Sequence, residues 1–349
     1  TVQAYVEGEL DKALLDYDAQ GGVILVLDPR TGEILAAATR PSYEPVRYAD
    51  YAEKGLAAIF QDPAISHTYE PGSVFKIVTV AAALDSGRAD LNWSYQDRGM
   101  LEYGGVVVQN WDRAAYGQQD LAGLLTHSLN VGAAQLSTQV LGAEQFYRYV
   151  RAFGFGQPTG VELAGEAAGL VHMPLDWNWE DSFLATNSFG QGIAVTPLQM
   201  ATAVATIANE GVMMQPHIVA ERLYPDGRSI VIPPRSTGQP ITAETAWTLS
   251  ELLAQVVDEM PEAQVPGYRI AGKTGTAQIP GVGGYEQDAV ITSFVGFGPL
   301  PDPQLLILVK LDRPGGPMAT RWGTQTAAPL FQKVAARLFV LLGIPPTVD

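Results

Sequence analysis

The 349-residue chain contains no cysteine. That excludes a thiol nucleophile, a thiolate-held metal and any disulfide together, and leaves the redox compartment open. Basic residues are in deficit: 21 Lys and Arg stand against 37 Asp and Glu, a formal net charge of -16. Nucleic-acid binding needs a basic face, so no such partner is expected. Charge of either sign is sparse, at 17% of residues against 47% hydrophobic, which excludes a disordered chain and supplies a large core. Long apolar runs are also missing; Val23–Leu27 and Leu305–Val309 are strand-sized, far short of a membrane span. No signal peptide is visible, and the chain opens on Thr1 rather than Met, as expected if upstream sequence has been removed. The four histidines, His67, His127, His172 and His217, are scattered, and packing or surface roles are expected for them.

What is present alternates between helix and strand signals. Residues 3–16 carry Val6, Leu10, Ala13 and Leu14 at helical spacing. Val23–Leu27, the turn Asp28-Pro29-Arg30-Thr31-Gly32 and a second apolar run read as a strand and its return. A long loop is expected from Arg40 to about Gly72, then a helix from Ser73 to Gly87, starting just after the breakers Pro71 and Gly72. Residues 88–215 read mostly as short helices separated by Gly and Pro, followed by a small hairpin over Leu223–Ile232. A helix over Thr242–Met260, strands over Tyr268–Ile279, Ala289–Phe297 and Gln304–Asp312, and a closing helix over Gln325–Leu342 complete the pattern. Strands at both ends with helices between predict one α+β domain over 1–349. Its sheet subdomain takes about 1–87 and 236–349, and a mainly helical subdomain, about 88–235, is inserted.

Gly267–Thr274 spells G-Y-R-I-A-G-K-T and so matches the phosphate-loop pattern letter for letter. A phosphate loop needs a buried strand before it and a helix N-terminus after it. Here P-E-A-Q-V-P precedes and G-T-A-Q-I-P-G-V-G-G follows. Neither fits, so a P-loop nucleotide-binding function stays a remote alternative.

Three other short stretches carry acyl-transfer chemistry. In Y-E-P-G-S-V-F-K, Ser73 and Lys76 stand three apart at a helix start, so the amine shares a face with the hydroxyl. On its own the Ser-x-x-Lys spacing is better explained by an exposed serine and a surface lysine. The neighbours Val74, Phe75, Ile77 and Val78 are apolar, however, and lysine is scarce in this chain. Ser128-Leu129-Asn130 leaves Leu129 to pack and two polar side chains to face one cavity; a capping serine with a turn asparagine is the plainer reading. Lys273-Thr274-Gly275-Thr276 reads as a strand whose glycine admits a close neighbour, or as an ordinary edge strand guarded by a lysine.

Taken together and in this order, the three stretches match the signature of serine acyl-transferases that recognise penicillin. The stretches V-L-D-P-R-T-G-E-I-L-A, Y-E-P-G-S-V-F-K, F-G-Q-G-I-A-V-T-P-L-Q-M, A-G-K-T-G-T-A-Q and S-F-V-G-F-G-P all resemble the transpeptidase domain of class B penicillin-binding proteins. The resemblance runs from Gly21 to about Phe331. It implies an antiparallel sheet flanked by helices, β-lactamase-like, and a peptidoglycan D,D-transpeptidase inhibited covalently by β-lactams. Ser73 would attack the penultimate D-Ala carbonyl of a stem peptide, with Lys76 as base. A free lysine titrates near 10.4, so a base poised near 7 needs roughly 4 kcal/mol of help from burial and a second cation, for which Lys273 is the candidate. Ser128 would bridge the lysines and relay the proton, and Asn130 would hold the substrate amide. The strand Thr274, Gly275 and Thr276 would bind the terminal carboxylate, while the backbone N–H groups of Ser73 and Thr276 form the oxyanion hole.

No metal or organic cofactor is implied. The implied partners are stem peptides, β-lactams and, in the intact protein, a membrane glycan polymerase. The implied location is the extracytoplasmic face of the bacterial cytoplasmic membrane, with an anchor upstream. One departure is Asp62-Pro63-Ala64-Ile65, where the family often carries Asn-Arg before Ala-Ile. Rival readings keep the same site: a D,D-carboxypeptidase, which shares every motif, or a β-lactamase or β-lactam sensor. A class A β-lactamase would need an E-x-x-L-N segment that is missing, and the modified-lysine β-lactamases usually have valine where this chain has Asn130.

Overall fold

Val23, Leu25 and Leu27 point to one side of their strand and Ile24 and Val26 to the other, and both sides are buried. That is why the run is continuously apolar rather than alternating. The computed structural model describes residues 1–281 and 283–348. Strands β1 (Gly21–Leu27), β2 (Ile34–Arg40), β3 (Ala271–Gly281), β4 (Gly284–Gly298) and β5 (Leu305–Asp312) form one antiparallel sheet in the order β3-β4-β5-β1-β2. Chain ends therefore meet at its centre, with Gly21 opposite Asp312 and Val23 opposite Lys310. β3 lies at one edge, Lys273 opposite Val295 and Thr276 opposite Thr292.

Helices α1 (Val2–Asp16), α2 (Lys76–Asp85), α3 (Leu121–Thr126), α4 (Asn130–Gln135), α5 (Gly142–Ala152), α6 (Pro197–Ala208), α7 (Ala243–Asp258) and α8 (Ala327–Leu341) surround the sheet. Val6 and Leu10 of α1 and Phe331, Val334 and Leu338 of α8 close one face over Ile24, Val26, Phe294 and Ile307. On the other, α2, α6 and α7 pack Val78, Leu198, Val204, Leu249 and Leu253 against Val23, Leu25, Val295 and Leu308. α2 is apolar nearly all round because it is buried nearly all round, from Lys76 to Ala83. α7 starts within one residue of its expected beginning, capped by Thr242, whose hydroxyl accepts from Thr245 N–H at 3.2 Å.

Two expectations need correction. The segment after residue 88 is not helices alone: Ser94–Asp97 pairs with Gly117–Asp120, and Met100–Tyr103 with Val106–Gln109. The second ribbon turns on Gly104-Gly105, both at positive φ, a hairpin signal that was present in the sequence. The loop from Arg40 to Gly72 contains short helices at Tyr48–Glu53 and Pro63–Ser66. The departing Asp62 caps the latter, accepting from Ala64 N–H at 2.9 Å with Pro63 in the first turn.

Candidate active site

Ser73 does not sit in an α-helix as expected; it sits in a 3-10 turn, Gly72–Phe75, that leads into α2. The turn is held from below by residues 188–195. Tyr69 and Val195 exchange both backbone hydrogen bonds at 2.9 Å, Gly72 N–H donates to Gly190 O at 3.1 Å, and the Thr79 hydroxyl donates to Ser188 O at 2.7 Å. Glu70, buried, accepts from Gly192 N–H at 2.9 Å and from the Tyr285 hydroxyl at 3.0 Å. Burial raises its carboxyl above the usual range, against the pull of those two donors.

Lys76 opens α2 and is fully buried. Its Nζ lies 2.9 Å from Ser73 Oγ, 2.6 Å from Ser128 O, 2.8 Å from Asn130 Oδ1 and 3.2 Å from Ser128 Oγ. Among the described residues no carboxylate pairs with it. Desolvation, reinforced by the charge of Lys273, holds its amine well below the ordinary lysine range. The contrast is Lys310, also buried, which pairs with Asp312 and lies 5.2 Å over the Tyr69 ring.

Ser128 and Asn130 come from the link between α3 and α4. Leu129 is fully buried, as its position between two polar residues suggested. Ser128 is neither a cap nor helical: at φ 55° it occupies the left-handed region, uncommon for a residue with a β-carbon. That twist turns its carbonyl and its hydroxyl toward Lys76. Asn130 opens α4, and its Nδ2 donates to Gln109 O at 3.0 Å.

β3 supplies the opposite wall. Lys273 is buried, and burial lowers its amine to about 7. Its Nζ donates to Thr274 O at 3.2 Å and to Thr274 Oγ1 at 3.4 Å rather than to Ser128, so the expected bridge between the lysines is not formed. Thr276 Oγ1 accepts from Gly323 N–H at 3.1 Å. Gly275 lets the turn come close: a β-carbon there would stand 2.9 Å from Pro71 O and from Val74. One at Gly72 would stand 3.1 Å from Thr276 O, so that carbonyl faces the Ser73 turn. In an antiparallel strand the N–H and C=O of one residue leave by the same edge, which aims Thr276 N–H at the turn as well.

Ser73, Ser128, Thr274 and Thr276 thus line one groove of about 430 Å³, completed by Thr126, Gly323, Trp111 and Trp322. The two tryptophans meet across it, ring centroids 5.3 Å apart and edge to face. Trp111 Nε1 donates to His127 O at 3.3 Å. Sequence reasoning missed both, since nothing local distinguishes them from core tryptophans. None of the histidines lines the groove: His127 packs at a tilt against Tyr116, and His172 stacks on Phe183. Lys273 lies within a strand with no helix following, which removes the phosphate-loop reading. Among the described residues no three of His, Cys, Asp and Glu gather as metal ligands.

A serine hydroxyl 2.9 Å from a buried lysine amine, facing the edge strand of an antiparallel sheet, is the arrangement to set beside known families. Residues 22–336 match the penicillin binding protein transpeptidase domain, and the chain belongs to that family, among its class B members. It is 36% identical over 350 residues to Stage V sporulation protein D of Bacillus subtilis, covering 99% of this chain and 53% of the relative. It is 36% identical over 360 residues to penicillin-binding protein PbpB of Mycobacterium tuberculosis, covering 100% and 52%. The chain therefore spans about half the length of these relatives. Among solved structures, penicillin-binding protein 3 of M. tuberculosis in complex with ampicillin superposes with a TM-score of 0.89 at 35% identity, covering 100% of this chain and 78% of that one. The transpeptidase domain of Burkholderia pseudomallei penicillin-binding protein 3 gives 0.83 at 28% identity, covering 100% and 96%. The β-lactamase-like α+β fold is shared.

Proposed function

We propose that this chain is the catalytic part of a peptidoglycan D,D-transpeptidase that works through an acyl-serine and is acylated by β-lactams. The observation that carries the reading is the set of partners around Lys76 Nζ. A neutral amine has two N–H groups and one lone pair. Ser128 O and Asn130 Oδ1 can only accept, and they take the two N–H groups, which leaves the lone pair for the Ser73 hydroxyl proton. Burial and a neighbouring cation lower the affinity of Lys76 for a proton, which brings the amine closer to the range in which a general base works.

Ser73 Oγ then bonds to the penultimate D-Ala carbonyl carbon, and its proton passes to Lys76. The developing oxyanion sits between the backbone N–H groups of Ser73 and Thr276. Lys76 returns the proton through the Ser128 hydroxyl to the leaving nitrogen, the C–N bond breaks, and the terminal D-Ala departs. In the second half an amine of a neighbouring stem attacks the ester carbonyl, the ester C–O bond to Ser73 breaks, the amine's proton goes to Lys76 and from there to Ser73 Oγ, and the amide cross-link forms. Asn130 has one Nδ2 hydrogen bonded to Gln109 O and the other left for a substrate carbonyl. Thr274 and Thr276 take the carboxylate against the Lys273 charge, and Gly275 keeps their strand close to the turn.

The reading extends to a single domain with the sheet and helical subdomains set out above. It includes stem-peptide substrates, a membrane glycan polymerase as partner and a site outside the cytoplasmic membrane. It is supported by the relative in Neisseria meningitidis named as a probable peptidoglycan D,D-transpeptidase, 31% identical over 352 residues. The test is a fluorescent penicillin. Stoichiometric, long-lived labelling of the wild type and none of Ser73→Ala is expected; no wild-type labelling, or equal labelling of the variant, would sink it. Product analysis on lipid-linked peptidoglycan separates cross-linking from carboxypeptidase hydrolysis.

A further inference from the structure

Three consecutive residues, Gln109-Asn110-Trp111, grip the loop that carries Ser128. Gln109 O accepts from Asn130 Nδ2 at 3.0 Å, Asn110 Oδ1 accepts from Val131 N–H at 3.2 Å, and Trp111 Nε1 donates to His127 O at 3.3 Å. The grip therefore brackets the loop on both sides of Ser128, the residue held at positive φ. Asn110 is itself fixed. It is 2% exposed, and its Nδ2 donates to both oxygens of Asp97 at 3.0 Å and to Ala114 O at 3.0 Å. Asp97 is 1% exposed and also accepts from Gly99 N–H at 2.7 Å. No cation pairs with this carboxylate among the described residues. A buried carboxylate satisfied only by neutral donors is costly, and a replacement by apolar residues would serve packing better.

We propose that Asp97 and Asn110 are positioning residues for the acyl-transfer site: they hold the Gln109–Trp111 backbone so that Asn130 presents Oδ1, and not Nδ2, to Lys76. The amide of Asn130 has two orientations. Only one puts Nδ2 against Gln109 O and Oδ1 against Lys76 Nζ; the reverse sets two acceptors face to face at one end and two donors at the other. Gln109 O thus decides the orientation, and it can do so only while Asn110, anchored on Asp97, keeps it in place. Neither residue lines the groove. Their effect on chemistry passes entirely through Asn130 and the Ser128 loop.

The inference rests on the acyl-transfer reading, and one measurement on the same protein distinguishes the two. Acylation by a fluorescent penicillin is followed at several concentrations and across pH, for wild type, Asn110→Ala and Asp97→Asn. If the wild type is not labelled, the acyl-transfer reading fails. If it is, Asn110→Ala is expected to lower the acylation rate constant on the order of 100-fold, as a small misplacement of reacting groups does. It also moves the acid-side limb of the pH profile to lower pH, because an amide oxygen that stabilised the Lys76 ammonium has been lost. Lys273 is the other titratable group facing Lys76, and it is untouched. A lowered melting temperature with the rate and the limb unchanged would overturn the proposal. Asp97→Asn preserves volume and an acceptor for Gly99 but sets one amide N–H against another. It decides the matter should Asn110→Ala not fold: the same two changes support the proposal, and a wild-type rate and limb in folded Asp97→Asn refute it.

Discussion

Gly190 and Gly72 are packed so closely that a β-carbon on Gly190 would stand 2.2 Å from the carbonyl oxygen of Gly72. Gly190 is also left-handed, at φ 78°. The turn bearing Ser73 therefore rests directly on the backbone of the F-G-Q-G stretch, without a side chain between them. Gly190→Ala combines a clash with a backbone penalty, and a destabilisation of about 3 kcal/mol is expected. Thermal unfolding checks the size, and penicillin labelling of the folded fraction should fall with it.

Lys76 offers the plainest chemical test. Lys76→Met keeps the packing of a buried, apolar helix start and removes the base. Acylation is expected to drop by about 10²- to 10⁴-fold with affinity for the intact β-lactam little changed. A saturation series separating the rate constant from the binding constant reads both.

Lys273 couples stability to pH. In the unfolded chain it titrates near 10.4 and in the folded protein at about 7. Between those values the unfolded state holds the extra proton, so this group makes the protein more stable as pH rises from about 7 to about 10. Below 7 the cost of burying the charge is fully present. Lys273→Met should therefore raise the melting temperature most at or below pH 7, with the advantage fading towards pH 10. The same variant should bind carboxylate-bearing β-lactams poorly.

A second pH dependence concerns rate. On the acyl-transfer reading acylation needs Lys76 neutral and Lys273 charged, so the second-order constant should be bell-shaped, with its falling limb near 7. At saturating β-lactam the bound carboxylate favours the ammonium, and that limb should move to higher pH. Stopped-flow labelling at low and high ligand checks the displacement.

The Trp111–Trp322 contact joins the helical side of the groove to the sheet side. Edge-to-face pairs are worth about 1 kcal/mol beyond area burial. A double-mutant cycle with Trp111→Ala and Trp322→Ala, read by urea unfolding, should return a coupling of that size.

Strands buried on both faces left a strong trace in the sequence, which is why β1 and β5 were placed to within two residues of where they lie. The closing helix was equally legible, and so was the start of α7, because the Thr242 cap is a local interaction. The two ribbons after residue 88 were not: their strands are only four residues long, those of the first are mostly polar, and only Gly104-Gly105 announces the second. Ser73, Lys76, Ser128, Asn130 and Lys273 could be named because each keeps a recognisable neighbour. What surrounds them could not. The left-handed turn at Ser128, the support by Gly190 and the anchor at Asp97 depend on contacts between residues far apart in the chain, which no local pattern encodes.

Lys76 and Lys273 belong to distant segments, and the affinity of each for a proton is lowered only when the helical side and the sheet edge have closed around it. Until then both are ordinary solvated ammonium groups, and Ser73 is an ordinary alcohol. Reactivity is thus a late product of assembly, arriving after the last tertiary contacts. On the acyl-transfer reading, a covalent penicillin label counts finished molecules, and in a refolding experiment it serves as a clock for the final step.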